Sequence, residues 1–319
     1  MRYRTLGRTG LKLSEVSLGS WLTFGNSLEK HTVSDVVHRA LDLGINHIDT
    51  ADIYGNGAAE TVLGEILGDI RRSSYVLASK VFWPTGAGPN DKGLSRKHIH
   101  ETVDASLRRL GTDYLDILYC HRFDTEVPLE ETVTAMEDLV MRGRILYWGV
   151  SCWTAKQIAH ACRLATRHKP VVEQPPYNIF DRHIEKDVLS TCTKERLGVV
   201  VWSPLAQGVL TGKYLKGLPA NSRGADDKLY GLIRRYFEPQ CTMAVKELVN
   251  IAKDANLTPS QIALGWCLRR NEITSVIVGA RNVSQIEAST KVTLLPRSVL
   301  NAVEGIAKSA PSVSAVDPL

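Results

Sequence analysis

Long apolar runs, paired cysteines and metal-ligand clusters are all missing from this chain of 319 residues. No run of about 18 apolar residues is present, so no membrane-spanning helix is predicted. The first residues contain no apolar stretch of signal-peptide length. The six cysteines form neither a CxxC pair nor a disulfide framework. We therefore expect reduced thiols and a cytoplasmic location. No metal site is predicted, because no cluster of His, Cys, Asp and Glu has metal-ligand spacing.

The charge pattern also excludes some partners. Lys and Arg exceed Asp and Glu by 39 to 34, giving a net charge of +5, but the basic residues are scattered along the chain. Most lie near predicted helix ends, where cations suit the helix dipole. They form no continuous stripe of the kind that nucleic acids require. Neither a nucleic-acid partner nor direct membrane insertion is predicted.

Eight short apolar segments alternate with amphipathic stretches along the chain. They are rich in β-branched residues and almost continuously apolar, which is typical of parallel strands buried on both faces. The strands are predicted at 16–21, 46–51, 75–81, 113–121, 145–152, 171–177, 199–205 and 274–280. The intervening helices are predicted at 32–43, 59–67, 95–110, 130–142, 154–168, 184–196, 258–270 and 282–289.

Eight strand–helix units predict an α/β fold of the closed (β/α)8 type, a TIM barrel. An open doubly wound sheet is the alternative, but GNGAAE at 55–60 has Glu60 where a dinucleotide-binding fingerprint needs its third glycine. An N-terminal β-hairpin at 2–14 is expected to plug the barrel. The chain is predicted to be a single domain over 1–308 with a disordered tail at 309–319. Additions to the regular barrel are a long loop after the seventh strand (206–238) and extra C-terminal helices, including one at 241–255.

Polar residues recur at the ends of successive predicted strands. Asp49 ends the second strand and Tyr54 follows in its loop, while Lys80 ends the third strand and His121 the fourth. The carboxyl ends of TIM-barrel strands meet at one rim, where the reactive residues gather. Each residue alone has an ordinary structural explanation. Their joint occurrence predicts an active site.

A tyrosine beside a lysine makes an adjustable proton donor. A free phenol has a pKa near 10, and a nearby ammonium favours the phenolate and lowers that pKa. Lys80 can supply the ammonium, Asp49 can hold it, and His121 can polarise the same carbonyl oxygen. The set suits protonation of an oxygen while a hydride reaches the attached carbon. Because no side chain donates a hydride, a nicotinamide cofactor is expected.

The chain resembles the aldo-keto reductase superfamily from about residue 3 to residue 308. Asp49, Tyr54, Lys80 and His121 match its catalytic tetrad, with Tyr54 as general acid and base. The segments at 118–136, 142–153, 174–182 and 202–214 are similar to the branch that includes potassium-channel β subunits and related bacterial reductases. Those channel subunits carry Asn at the histidine position, whereas this chain keeps His121. The resemblance implies an NADP-dependent reductase that forms a homo-oligomer, a tetramer or an octamer.

The resemblance also implies where NADP(H) binds. Ser151 and Gln174 would hydrogen-bond the nicotinamide carboxamide, and Trp202 would stack on its ring. Arg281 would contact the 2′-phosphate. The remaining implied contacts are Ser203, Pro204, Leu205, Gln207 and Gly208 at the pyrophosphate, Lys213 and Arg223 clamping phosphate, Gly279 and Gln285 at the adenosine, and Ser20 and Trp21. The family's Glu-Asn pair at adenine is replaced by Ala288 and Ser289, so Glu287 is an alternative adenine contact.

Reduction of a small aldehyde or ketone to an alcohol is the predicted activity. The substrate would enter an apolar pocket lined by Trp21, Phe24, Trp83 and Trp153. An NADP(H)-binding, redox-sensing β-type subunit of a membrane channel is the alternative function. A barrel hydrolase or lyase that uses Asp49 or Glu173 is a third. Nothing in the sequence selects one carbonyl substrate.

Overall fold

A closed barrel of eight parallel strands forms the centre of the protein. The computed structural model describes residues 1–25, 27–220, 222–292 and 294–310. The barrel strands are β3 (Val16–Gly19), β4 (His47–Asp49), β5 (Val76–Val81), β6 (Leu115–Cys120), β7 (Ile145–Val150), β8 (Val172–Glu173), β9 (Gly198–Val201) and β10 (Ile273–Val278). Strands β3 to β10 pair in chain order and β10 closes on β3. The predicted TIM barrel is confirmed and the open sheet is excluded.

Helices surround this barrel. They are α1 (Lys30–Asp42), α2 (Ala58–Leu67), α3 (Arg96–Leu110), α4 (Leu129–Met141), α5 (Ala155–Leu164), α6 (Val188–Glu195), α7 (Asp227–Ile233), α8 (Pro239–Asp254), α9 (Pro259–Leu268), α10 (Val283–Thr290) and α11 (Arg297–Ser309). Helix α3 shows why they form where predicted. Ser95 caps its first turn by accepting the N–H of His98 (3.2 Å), and Gly111 ends it in the left-handed conformation (φ 62°).

Both faces of the barrel strands are buried, each in a different core. Val76 and Ala78 of β5 point into the barrel, while Leu77 and Val81 pack outward against the helices. This division follows from the alternation of side chains along a strand. It explains the continuous apolar segments of the sequence. Lys80 continues the inward row of β5, which places a charged side chain inside the barrel.

An antiparallel hairpin closes the barrel at its amino-terminal end. Strand β1 (Tyr3–Thr5) pairs with β2 (Lys12–Ser14). Leu6 and Leu13 are fully buried in the interior cluster. Gly7 lies against the backbone with a φ of +51°, and a Cβ atom there would approach the carbonyl oxygen of Arg196 to 2.6 Å. The predicted plug is confirmed, so the opposite end of the barrel remains for a site.

Some elements differ from the sequence predictions. Helix α5 ends at Leu164, four residues early, because the Glu137 carboxylate accepts the backbone N–H groups of Arg167 (2.6 Å) and His168 (2.9 Å). The long segment after β9 contains α7 as well as short 3-10 helices at 206–211 and 234–237. Helix α11 extends through Ser309, and the rest of the predicted tail, 311–319, lies outside the described residues.

The structure also bears on the predictions of reduced thiols and of no membrane-spanning helix. All six cysteines are free thiols, and five of them are buried, with Cys152 partly exposed. Within the part of the chain that the structure describes, no helix combines the length and apolar character that crossing a membrane requires.

Candidate active site

A buried ammonium group lies at the floor of the open end of the barrel. The Lys80 Nζ atom lies 2.5 Å from Asp49 Oδ1 and donates to the Thr50 carbonyl (2.8 Å) and the Tyr54 hydroxyl (3.1 Å). The second carboxylate oxygen of Asp49 accepts from Gln174 Nε2 (2.8 Å). Every polar atom of the Lys80–Asp49 pair is thus engaged. The structure brings Asp49, Lys80 and Tyr54 together.

The pairing of neighbouring strands explains why Asp49, Lys80 and Tyr54 lie close together. Strands β4 and β5 pair with Asp49 opposite Ala78, and Lys80 lies one pleat further along β5. Both side chains therefore point into the barrel at its carboxyl end. Tyr54 comes from the loop after β4, where its N–H donates to the Ala51 carbonyl (3.1 Å). That turn folds the phenol back over the lysine.

A second buried charge network holds the Tyr54 loop from behind. Glu60, on α2, accepts from Ser79 Oγ (2.5 Å) and pairs with Arg109 (2.7 Å) at the end of α3. Asp52, inside the loop, accepts the N–H of Ile53 (2.7 Å). Burial, reinforced by Glu60, raises the pKa of Asp52 well above its ordinary value. Glu60 thus ties the start of α2, which follows the Tyr54 loop, to β5 and α3.

The pKa values at this floor reflect a competition between burial and charge. Burial raises the pKa of Tyr54 above 10.0, and the Lys80 ammonium opposes that rise. The sequence predicted a lowered pKa for Tyr54, but in the structure the effect of burial outweighs that of the lysine. Burial acts to lower the pKa of Lys80, but the Asp49 carboxylate and the Tyr54 hydroxyl together raise that pKa by more, so the net shift is upward. Lys80 is therefore a permanent cation beside a protonated phenol.

His121 stands beside the phenol as a neutral ring. Its ring centroid lies 6.0 Å from that of Tyr54, at 77° between planes. Burial, aided by Lys80 and Arg122, holds the pKa of His121 well below 6.5. The guanidinium of Arg122 lies 5.6 Å from the Trp83 ring and donates to the His121 carbonyl. A neutral imidazole with one protonated nitrogen can donate one hydrogen bond to a bound oxygen.

A cavity of about 600 Å³ opens above these groups. Asp49, Tyr54 and His121 line it, and Lys80 lies beneath the phenol with 1% of its surface exposed. The predicted cofactor residues in the lining are Trp21, Ser151, Gln174, Trp202, Ser203, Pro204, Leu205, Gln207, Gly208, Lys213, Arg223, Gly279, Arg281 and Gln285. One continuous cavity therefore joins the tetrad to the whole predicted cofactor path except Ser20.

The segment after β9 turns sharply beside the cavity. Ala206 and Gln207 have left-handed φ values of 47° and 59°, followed by Gly208 at 94°. The N–H groups of Ala206 and Gly208 donate to the carbonyls of Ser203 (3.0 Å) and Leu205 (2.9 Å) within the turn, so the positive charge available to an anion here comes from side chains. Arg223 donates to the Gln207 side chain, whose Nε2 donates to Ser203 Oγ (2.6 Å). Burial, with help from the nearby Arg281, lowers the pKa of Arg223 to about 10, so it stays cationic at neutral pH.

Several predicted residues lie elsewhere. Ser20 is buried and donates its hydroxyl to Thr50 (2.9 Å) instead of lining the cavity. Phe24 is 1% exposed in the outer core. Trp153 packs against Phe123 with ring centroids 4.9 Å apart. Phe24 and Trp153 do not line the cavity, because both side chains face the layer between the strands and the helices. The predicted apolar substrate pocket is corrected for these two residues.

Trp83 and the residues predicted near the adenine occupy different positions relative to the cavity. Trp83 reaches the site only indirectly, through an edge contact with His121 at 6.3 Å. Ala288 and Ser289 both line the cavity. Glu287 instead pairs with Arg39 of α1 (2.7 Å) and is not among the residues that line the cavity.

The site also includes residues that were not predicted from the sequence. The Thr50 carbonyl binds Lys80 through the backbone, which leaves no mark in a sequence. Arg122 immediately follows His121 and could have been found by reading one residue past the strand end. The other missed lining residues are Gly19, Leu22, Thr23, Ser27, Thr211, Ser222, Asp226, Leu229, Ser260, Ile277 and Val278. Most lie in the loops after β3 and β9, whose paths depend on packing.

The sequence is similar to those of several known proteins. A sequence model described as "Aldo/keto reductase family" matches residues 15–308. A "Probable voltage-gated potassium channel subunit beta" of Arabidopsis thaliana is 44% identical over 322 residues, covering 98% of each chain. The same description in Oryza sativa subsp. japonica belongs to a protein with 42% identity and equal coverage. A "Putative voltage-gated potassium channel subunit beta" of Schizosaccharomyces pombe is 43% identical over 299 residues, covering 91% of this chain and 87% of that protein.

Proposed function

The chain belongs to the aldo/keto reductase family, and from that premise we propose that it reduces the carbonyl group of a small aldehyde or ketone with NADPH. The observation that carries the proposal is the Lys80 ammonium held between the Asp49 carboxylate (2.5 Å) and the Tyr54 hydroxyl (3.1 Å). This arrangement faces a cavity large enough for a small-molecule ligand. It prepares one phenol for proton transfer.

Tyr54 is proposed to give its proton to the carbonyl oxygen. The phenolate left behind would be unstable in this buried site, since burial raises the pKa of Tyr54. The Lys80 ammonium, already hydrogen-bonded to the phenol oxygen, stabilises that phenolate without any movement. Asp49 keeps the ammonium charged and oriented. His121, neutral and in the lining, donates a hydrogen bond that positions the same carbonyl oxygen.

The residues present fit a nicotinamide dinucleotide. The cavity lining includes the cations Lys213, Arg223 and Arg281. Their charges suit the phosphates of such a cofactor. Ser151 and Gln174 line the wall near Asp49 and retain acceptor atoms for a carboxamide. When bound, the nicotinamide supplies the hydride that no side chain can provide.

NADPH consumption with a panel of small aldehydes and ketones tests the proposal. We expect turnover with the wild type and loss of most of it in Tyr54→Phe, while Kd for NADPH stays nearly constant. Tyr3→Phe is the matched control, since Tyr3 is 48% exposed on the hairpin at the other end of the barrel. Equal turnover in Tyr54→Phe and wild type would disprove the assigned proton donor.

A second candidate function is supported by the relatives, three of which are named as potassium-channel β subunits. In that case the protein would be an NADP(H)-binding, redox-sensing subunit of a membrane channel with little turnover. Tight NADPH binding without consumption across the carbonyl panel would favour this function over the reductase. Failure to bind either nucleotide would contradict both.

A homo-oligomer, a tetramer or an octamer, is part of the proposal. The support is the similarity over nearly the full length to proteins named as channel subunits. Light scattering across micromolar concentrations is the measurement, and a monomer mass throughout that range would contradict the proposed assembly.

A further inference from the structure

A fully buried carboxyl group lies just outside the barrel wall, beside the proposed nicotinamide site. Glu173 of β8 is 0% exposed. Its neighbour Val172 belongs to the barrel interior and Gln174 contacts Asp49 there, so by alternation Glu173 faces the helix layer. Cys192 of α6 lies close enough for its pKa to be affected by Glu173. Burying a carboxyl group in such an apolar layer costs free energy unless the group is hydrogen-bonded.

The hydrogen bonds of Glu173 come from the turn that follows β7. Its Oε1 atom accepts the backbone N–H of Trp153 (3.3 Å), and the N–H of Cys152 also faces the carboxyl group. The Oε2 atom has no hydrogen-bond partner. Burial raises the pKa of Glu173 well above its ordinary value. Glu173 therefore uses one oxygen as an acceptor for the turn that follows β7.

The turn needs such an acceptor. Cys152 has a φ of +59°, a left-handed conformation that costs a non-glycine residue about 1–3 kcal/mol. This conformation swings two successive N–H groups toward Glu173. Immediately before it, Ser151 lines the cavity, and its Oγ donates to the Gln174 carbonyl (2.7 Å). The position of the Ser151 hydroxyl thus depends on how the chain turns at Cys152.

We propose that Glu173 is a positioning residue that holds the left-handed turn at Cys152 and thereby fixes the Ser151 hydroxyl where the nicotinamide carboxamide binds. The inference rests on the proposed function, because it takes Ser151 to be a nicotinamide contact. It also replaces the sequence hypothesis that Glu173 could be the catalyst of a hydrolase. A side chain with no exposed surface, outside the cavity lining, cannot reach a substrate.

The test compares two ligands that differ only in the nicotinamide half. NADP⁺ reaches Ser151, whereas adenosine 2′,5′-bisphosphate does not. For Glu173→Leu we expect Kd for NADP⁺ to rise about threefold to tenfold, the loss of one hydrogen bond. Kd for the bisphosphate should stay within about twofold of the wild type. Glu173→Gln, a neutral isostere that keeps the acceptor oxygen, should restore NADP⁺ binding to within about twofold.

A double-mutant cycle with Ser151→Ala shows whether Glu173 acts through Ser151. We expect Glu173→Leu to change Kd for NADP⁺ by less than about twofold in the Ser151→Ala background. Additive losses would overturn the proposal, as would equal losses for the two ligands or no loss in Glu173→Leu. If Glu173→Leu does not fold, Glu173→Asp, which withdraws the carboxyl from the turn, replaces it in every comparison.

A different measurement, nucleotide binding by the wild type, tests the proposed function. If the wild type binds neither NADPH nor NADP⁺, the cofactor assignment is wrong before any variant is made, and the role of Glu173 falls with it. If the wild type binds NADP⁺ and Ser151→Ala leaves Kd unchanged, the role of Glu173 alone is overturned. Carbonyl turnover by the wild type would still support the proposed reductase.

Discussion

Replacing Lys80 by methionine separates the contribution of the buried Lys80–Asp49 pair to stability from its contribution to catalysis. The Lys80 and Asp49 side chains are 1% and 4% exposed and lie 2.5 Å apart. At this distance their attraction is about 6–7 kcal/mol at an effective dielectric constant near 20, before the cost of removing both charges from water. Methionine keeps the length of the side chain but leaves the Asp49 carboxylate buried without its cation. Removing one partner of such a pair destabilises a protein by about 3–5 kcal/mol.

The lower end of that range is expected for Lys80→Met. Asp49 retains its hydrogen bond from Gln174 (2.8 Å), which offsets part of the loss. Carbonyl reduction should fall by about 10²–10⁴, the usual contribution of a positioned proton donor, because the Tyr54 phenolate would lose its ammonium neighbour. Urea unfolding measures the stability, and NADPH consumption measures the activity.

The double variant Lys80→Met/Asp49→Asn discriminates between these roles. An asparagine at position 49 removes the unpaired charge and keeps an acceptor for Gln174, so at least half of the lost stability should return. Activity should not return, since the ammonium is still missing. A stability loss below about 1 kcal/mol in Lys80→Met, far under the expected range, would refute the reasoning, and so would recovery of activity in the double variant.

Three other predictions concern the proton donor, the cofactor and the response to acid. Tyr54→Phe should lower activity by about 10²–10⁴ with Kd for NADPH nearly constant, and a parallel loss of NADPH affinity in titrations would contradict a purely chemical role. Arg281→Ala should weaken NADPH binding by about tenfold to a hundredfold and leave NADH binding unchanged. Lys213→Ala should weaken the binding of both, because we propose that Lys213 contacts the pyrophosphate that the two cofactors share. Equal losses of NADPH and NADH binding in Arg281→Ala would show that Arg281 does not contact the 2′-phosphate. Burial lowers the pKa of His47 from 6.5 to about 4, so between these pH values the unfolded chain binds a proton that the folded protein does not, and acid favours unfolding. At about 1.4 kcal/mol per pKa unit, His47 should remove up to about 3 kcal/mol of stability as the pH falls through that window; His47→Gln should show a shallower loss in urea unfolding at pH 7 and pH 5, and an identical loss would contradict the prediction.

The strands and helices of the barrel were predictable because their signals are local. A parallel strand buried on both faces must be apolar at nearly every position, and helices such as α3 carry their capping serine and apolar spacing within one segment. Where the prediction failed, a distant residue intervened. Helix α5 stops at Leu164 because Glu137, about thirty positions away in the chain, accepts the next backbone N–H groups.

The tetrad residues were predictable for a topological reason. Successive strands of a parallel barrel end at the same rim, so residue types read at strand ends could be placed together without coordinates. Phe24 and Trp153 were misplaced by the same reasoning, because chain position near a rim does not decide whether a side chain turns into the cavity or into the helix layer. That choice depends on local backbone angles, such as the φ of +59° at Cys152.

The sequence by itself determined the fold class, the family and the identity of the residues at the rim, since these depend on residue types and their order along the chain. Only the tertiary structure decided the electrostatics of the site. Whether Tyr54 becomes a stronger or a weaker acid depends on the balance between burial and the charge of Lys80. Both quantities depend on distances and on the exclusion of water by residues far apart in the chain. Burial prevails in this barrel, and no pattern of residues along the chain records that outcome.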